Sequence, residues 1–600
     1  MVEMKTERKS VLDYLSKNKF LIPIYQRAYV WGEDECEQLW DDIYNFFNNA
    51  IDENDDYFLG SIIMYKENGQ QNLIDGQQRT TTLSLLIRAL YDKAKNHKGT
   101  NISELTNRLA SCLWDRNQLD GQINFSKPHI HSEVAIDSDN ELLENILSDK
   151  YQIAQGKDRD NIIKKTSCNY EKNYLYFIKK VDDLAKQQPA DWFNFCLSLL
   201  DYCIVLPIEC DGQENALRIF NTLNNRGISL SMSDIFKGFI YASKKNEQDR
   251  KKFAIEWKNL ENKIANSSYL KNENIGFLFV QYEHIIRALK GEVDTVIPSA
   301  LDFFTKKDRV NSKKKKVNFA ANDDLLSKEE TFAFIQELAE FWCNPKEYFS
   351  DNAQKFFDIL NIYQNKLWQM VLSMCFYVYQ PSKNINNENS IFDEVLPQLV
   401  SYCALGLIYG KGGSSGLFWG FMKANTIILE NKKNNETKTI FIPSLNIPNL
   451  AMPNLDYFTD FCIKSLPKQI RYILSIYTLL YNENQEWEWN FDGKNYSIIK
   501  GEIEHIFPKK WTEANYMGWN EKDAERFLKY IGNQTLIEKK QNIQASNEYF
   551  SRKKQVYLRS NFLEMKHLGS SSRTHWLKED IEERNREIYK RLKQFFEENL

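Results

Sequence analysis

A chain of 600 residues is long enough for about four domains of ~150 residues, and with 27% charged and 42% hydrophobic residues it is neither a disordered nor a fibrous sequence. Its 78 basic and 82 acidic residues leave a net charge of -4, which excludes nucleic-acid binding through overall charge, so any such surface is local. There is no run of ~18 apolar residues, Met1–Ser10 lacks the apolar core of a signal peptide, and the ten cysteines form no CxxC pair, so reduced buried thiols in a cytoplasmic protein without a membrane partner are expected.

The first 30 residues read as a helix followed by an extended segment over 20–25. Residues 33–49 set Cys36, Leu39, Trp40, Ile43, Phe46 and Phe47 at helical spacing. From Glu33 to Asp56 there are ten acidic residues and no basic ones, a solvated face that DNA would avoid. Tyr57–Tyr65 and Asn72–Asp75 have strand composition, and Thr80–Tyr91 an apolar helical period. Further on, 141–200 read as helices, 202–209 as a strand, 214–223 as a helix and 232 onward as another. From about 245 to 480 the pattern is helical, broken by the basic stretch 306–316 and the Gly-rich stretch 406–420. The basic stretch suits either a linker or an auxiliary DNA contact. The last 130 residues contain a helix over 471–480, a strand around 497–506 and helices to the end.

Asp75-Gly-Gln-Gln-Arg79 joins a strand to a helix N-terminus. Gly76 permits a tight turn, the free helical N–H groups favour an anion, Arg79 supplies a forked cation and Thr80 a hydroxyl. Asp75 would hold a metal or polarise water. A polar-capped turn with no ligand explains the same residues. Two more polar clusters add to it: Tyr25-Gln26-Arg27 after a strand, and Asn224-Asn-Arg226-Gly at a helix end. Gly406-Leu-Ile-Tyr-Gly-Lys-Gly412 only mimics a phosphate loop, because it has three residues between its glycines and lacks the Ser or Thr after Lys411.

"IPIYQRAYVW", "NLIDGQQRTTTL" and "IFNTLNNRGISLSMSDIFK" resemble, in order, the N-terminal domain of the GmrSD family of modification-dependent restriction endonucleases. The resemblance implies a ParB/sulfiredoxin-like α/β domain whose turn binds a nucleoside triphosphate. Asp75, Gly76, Gln77, Gln78, Arg79, Thr80, Arg27, Asn224 and Arg226 would be its nucleotide-binding residues. Tyr25, Gln26 and Arg27 would either sense modified DNA or bind the nucleotide.

Near the other end, Glu504-His505-Ile-Phe-Pro closes a strand, Gly532-Asn533 follows 28 residues beyond His505, and Asn542 lies nine beyond Asn533. A core or surface histidine explains His505 equally well if it stands alone. The spacing resembles the ββα-metal, or HNH, nuclease motif in its Asn-ending variant. In that motif Glu504 and Asn542 would hold Mg²⁺ or Mn²⁺, His505 would be the general base and Asn533 would orient it. "EIEHIFPKKW", "YIGNQTLI" and "NIQASNEYFSRKK" also resemble the GmrSD C-terminal domain. Eight basic and two acidic residues between Lys539 and Arg573 fit either a solvated helix or phosphate contacts, with Lys539, Lys540, Arg552, Lys553 and Lys554 as the candidates.

The expected architecture is therefore α+β and mostly helical, with residues 1–245 forming a nucleotide-binding and sensing domain, 246–456 a helical middle and 457–600 a nuclease domain. The expected function is anti-phage cleavage of foreign, modified double-stranded DNA, regulated by nucleoside triphosphate binding and hydrolysis, with a homo-oligomer left open. The rivals are a nucleotide-dependent regulator or toxin-like protein acting on RNA or lacking nuclease activity, and a ParB-like DNA-binding scaffold.

Overall fold

Local signals set the first elements. The Ser10 hydroxyl accepts the Asp13 N–H at 3.2 Å and starts a helix over Val11–Ser16. The next helix spans Glu33–Asn49 and turns Cys36, Leu39, Trp40 and Ile43 inward. In the computed structural model the described residues are 4–23, 26–49, 55–67, 69–97, 99–117, 122–134, 138–148, 150–151, 162, 165–189, 191–212, 215–216, 219, 231–292, 299–305, 308–310, 316–318, 324–383, 390–434, 439–441, 447, 450–483, 501–511 and 519–600. Tyr25, Asn224, Arg226 and most of the helix expected over 214–223 lie outside them.

The chain divides into two compact units, 1–258 and 259–600. The first is built on a mixed sheet. Its strands are β1 (Met4–Thr6), β2 (Lys9–Ser10), β3 (Phe20–Ile22), β4 (Tyr57–Glu67) and β5 (Gln70–Asp75). A side hairpin, β6 (Trp114–Arg116) with β7 (Ile123–Pro128), precedes β8 (Ile130–Ser132) and β9 (Cys203–Cys210). The sheet order is β1-β9-β4-β5-β3-β8, with β2 also on β9. β4 runs antiparallel to β5 and parallel to β9, and β5 runs parallel to β3. The strands expected around 57–65, 72–75 and 202–209 are present. β1, β2 and β8 are short edge additions without a period-two pattern.

The helix Gln77–Ala94 leaves β5 and is buried on every face, with only Arg79 and Lys93 not sealed off. It packs against the helices Thr100–Leu113 and Asn169–Gln187. A helix buried all round is the centre of its unit rather than a surface element.

In the second unit the helical middle and the C-terminal segment pack against each other. Tyr472 donates to the Val400 carbonyl at 3.1 Å, and Phe356 stacks on Phe595 with centroids 5.8 Å apart. The helix Ile391–Ile408 is long and apolar enough to cross a membrane, but 78% of it is buried among its neighbours, as in a core helix. The Gly-rich stretch is a helix-to-helix turn: Gly406 sits in the helix Ile391–Ile408, and Gly416 and Gly420 in the helix Ser414–Asn434. The basic stretch is not a plain linker, because β10 (Asp308–Val310) and β11 (Lys316–Asn318) pair antiparallel at its two ends. All ten cysteines are buried and unpaired.

Candidate nucleotide turn and nuclease site

At the end of β5 the chain reverses through Gly76, whose φ is +80°. That left-handed φ favours glycine, and a Cβ would also crowd the Ile62 side chain at 2.2 Å. The Asp75 carboxylate accepts the Gly76 N–H at 2.7 Å. Burial raises its pKa, against the lowering pull of that N–H and of the Arg79 and Arg27 guanidinium groups. Arg27 therefore joins Asp75 and Arg79 in one electrostatic neighbourhood.

Arg79 reaches back across β4 and donates to the Ser61 carbonyl at 3.2 Å. It can do so because β4 bulges at Gly60, with φ +114°, where a Cβ would lie 2.7 Å from the guanidinium. Burial lowers the Arg79 pKa while Asp75, Tyr14 and Tyr57 support its charge. Gly60 was missed as a site residue, although a lone glycine inside an apolar strand is the sign of a bulge or a close approach.

Two expected nucleotide contacts are instead scaffold. The Gln78 amide accepts the Val30 N–H at 2.9 Å and the Trp31 N–H at 3.3 Å, and donates to the Ala28 carbonyl at 3.0 Å. Thr80 is fully buried, its hydroxyl shared between Tyr14 and the Gly76 carbonyl. Both are committed to holding the chain, so neither faces a ligand. Gln26 donates to the Ile74 carbonyl at 3.1 Å. Its Oε1, the Gln77 Oε1 and the Thr81 hydroxyl are buried without a hydrogen-bond partner among the described residues. The guanidinium groups and the helix N-terminus at this turn suit an anion, whereas the unsatisfied amide oxygens accept and call for a donor.

In the second unit, β12 (Glu502–His505) runs antiparallel to β13 (Gln534–Ile537), pairing Glu502 with Ile537 and His505 with Gln534. The helix Lys539–Ala545 follows and carries Asn542, whose Nδ2 donates to Glu502 at 3.1 Å. Strand, strand and helix thus bring His505, Asn533 and Asn542 into one unit. Burial, then the charges of Lys509 and Lys553, lower the His505 pKa to about 3. The imidazole is therefore neutral at physiological pH, and the same burial makes it a weaker base than a free imidazole.

Three expected roles change here. Asn533 is fully buried and does not reach the imidazole; its amide accepts the Phe507 N–H at 2.7 Å and donates to the Phe507 carbonyl at 3.1 Å. It orients the backbone just after His505. Glu504 is 4% exposed, and its Oε1 takes the Lys553 ammonium at 2.7 Å and the Tyr557 hydroxyl at 2.8 Å. Lys553 is fully buried and therefore touches no DNA phosphate. Lys554 is tied to the Ser571 and Arg573 carbonyls, and Arg552 pairs with Glu548 at 3.1 Å on the surface. Lys539, Lys540, Lys509 and Lys510 are exposed; the last two, not among the expected DNA contacts, follow shortly after His505.

Behind the strands, Arg584 donates to Glu564 and to the carbonyls of Ile531, Gly532 and Gln534, framing Asn533. Gly532 is required there, since a Cβ would sit 2.0 Å from the Ile581 carbonyl.

The family model for the GmrSD restriction endonuclease N-terminal domain matches residues 11–241, and that for the GmrSD C-terminal domain matches 455–591. The chain belongs to the GmrSD family of restriction endonucleases. No curated protein matches it. A restriction endonuclease acts on DNA in phage defence, so the GmrSD assignment makes this chain a nuclease and DNA its partner. The N-terminal match contains the whole Asp75–Arg79 turn, and the C-terminal match contains His505, Asn533 and Asn542.

Proposed function

We propose that this GmrSD protein is a metal-dependent, HNH-type nuclease of the bacterial cytoplasm, regulated by a nucleoside triphosphate and directed at modified foreign DNA. The observation that carries the nuclease reading is the β12–β13–helix unit with a neutral His505 at the strand end, beside a carboxylate-amide pair.

The residues fit a hard divalent cation. β12 offers a carboxylate, and Asn542 an amide oxygen on the facing helix; these are the oxygen ligands that Mg²⁺ accepts alongside several waters. When bound, such a cation offsets charge on the scissile phosphate and the leaving oxygen. His505 removes the proton from the attacking water. Asn533, clamped by Arg584, fixes the loop that begins at Ile506. Lys509 and Lys510 attract the phosphate backbone without reading sequence.

For the nucleotide, Arg79 and Arg27 supply charge-assisted contacts to phosphate oxygens, and Asp75 stands where a phosphate-bound cation or water would be held. The buried, unsatisfied Gln26 and Gln77 oxygens support a ligand with hydrogen-bond donors at this turn. Hydrolysis at this turn would couple nucleotide state to cleavage.

The test is cleavage of modified and unmodified phage DNA and of plasmid DNA, with Mg²⁺ or EDTA, with and without each nucleoside triphosphate. Cleavage that requires the metal and responds to one nucleotide is expected. Cleavage of RNA alone, or none under any combination, overturns the reading.

A further inference from the structure

Four acidic residues lie in or against the β12–β13 pair, and they are not equivalent. Glu538 accepts the Ser560 hydroxyl at 2.7 Å and the Asn561 N–H at 2.5 Å. Glu564 binds Arg584 and the Thr535 hydroxyl. Glu504 binds Lys553 and Tyr557. Glu502 is half-buried, and the contact made by its carboxylate is the Asn542 amide.

Glu502 and Glu504, two apart on a strand, project to the same face. Nevertheless their surroundings differ. The Glu504 Oε1 already holds the fully buried Lys553 ammonium and the Tyr557 hydroxyl, so its charge is matched by a counter-charge before any cation arrives. A cation placed there would also stand against the positive charge of Lys553. Glu502 has neither obstacle. A half-turn of the Asn542 amide, which exchanges its nitrogen and oxygen, would present two oxygens from facing elements.

Resting on the metal-dependent reading above, we propose that Glu502, together with Asn542, binds the nuclease's divalent cation. Glu504 is a positioning residue, which through Lys553 and Tyr557 fixes the backbone at His505. The link is direct: the Lys553 ammonium that holds Glu504 also donates to the His505 carbonyl at 2.7 Å. One lysine thus ties the strand end that carries the base to the helix Phe550–Tyr557.

The test uses the full chain without DNA or nucleotide. Mn²⁺ binding is measured by calorimetry, and melting is followed in EDTA, for Glu502→Gln, Glu504→Gln and the double variant Glu504→Gln/Lys553→Met. Glu502→Gln should weaken Mn²⁺ binding at least about tenfold and melt like the parent in EDTA. Glu504→Gln should keep Mn²⁺ binding, melt lower in EDTA, and cut plasmid with reduced kcat and unchanged KM at saturating Mn²⁺. The double variant removes both charges together, recovers melting and keeps Mn²⁺ binding, so it serves if the single variant does not fold. Loss of Mn²⁺ binding in either Glu504 variant, with retention in Glu502→Gln, overturns the inference and leaves the metal reading standing. Retention in every variant also overturns it. No Mn²⁺ binding by the parent protein overturns the metal reading itself.

Discussion

The two candidate sites treat their polar groups differently. Around the Asp75–Arg79 turn, Gln26, Gln77 and Thr81 bury oxygen atoms that find no partner among the described residues, and two guanidinium groups crowd one carboxylate. Around β12–β13, Asn533, Lys553, Glu504 and Arg584 are all engaged, many of them with backbone carbonyls. Unsatisfied buried groups cost stability unless a ligand completes them. Fully satisfied ones hold a geometry fixed before the substrate arrives. On the proposed reading, the first site would take its ligand through two guanidinium groups and a helix N-terminus, and the second would hold His505 in place through polar residues already engaged.

The comparison is tested most severely at His505. His505→Ala should lower DNA cleavage about 10²–10⁴-fold while melting and nucleotide turnover stay at the parent level. A variant that still cuts at the parent rate would make His505 a strand-end residue and nothing more. Next in size is Lys553→Met, which leaves the Glu504 charge buried and unpaired; destabilisation of about 3–5 kcal/mol is expected. It is read as a lower urea midpoint at constant slope, and an unchanged midpoint would refute the clamp.

At the other site the expected effects fall on binding. Arg79→Ala should weaken nucleoside triphosphate binding by about 1.5–3 kcal/mol, the usual loss for a hydrogen bond to a charged group. Calorimetry on the folded variant checks it, and equal affinity would leave the turn without a ligand. Gln78→Ala sharpens the contrast within that turn. Three backbone groups at 28–31 lose their partner, so stability should fall by about 1–3 kcal/mol. A further effect is on pH dependence. The folded pKa of His505, about 3, lies below the unfolded value near 6.5. The unfolded chain therefore binds a proton in that window that the folded chain excludes, and stability falls as pH drops through it. Urea midpoints of the parent should decline more steeply than those of His505→Ala between about pH 7 and 4, and parallel curves would contradict the burial of the imidazole.

Much of this protein was legible in one dimension because it depends on neighbours in the chain. The helix over 33–49, the two strands leading to Asp75, the glycine turn and the order of the motifs follow from periodicity and from residues that only one backbone conformation suits. The family was readable for the same reason. What the sequence could not show is which polar atom each side chain meets. Lys553 looks like one more cation in a basic helix until the fold sets it 2.7 Å from Glu504, 49 residues away. Gln78 looks like a ligand until its amide meets the backbone of 28–31. The short strands β1, β2 and β8 carry no pattern of their own and exist because β9 and β3 offer unpaired edges. Composition and spacing determine local conformation and burial; the partner of a buried charge is chosen across the core, and only the tertiary structure decides it.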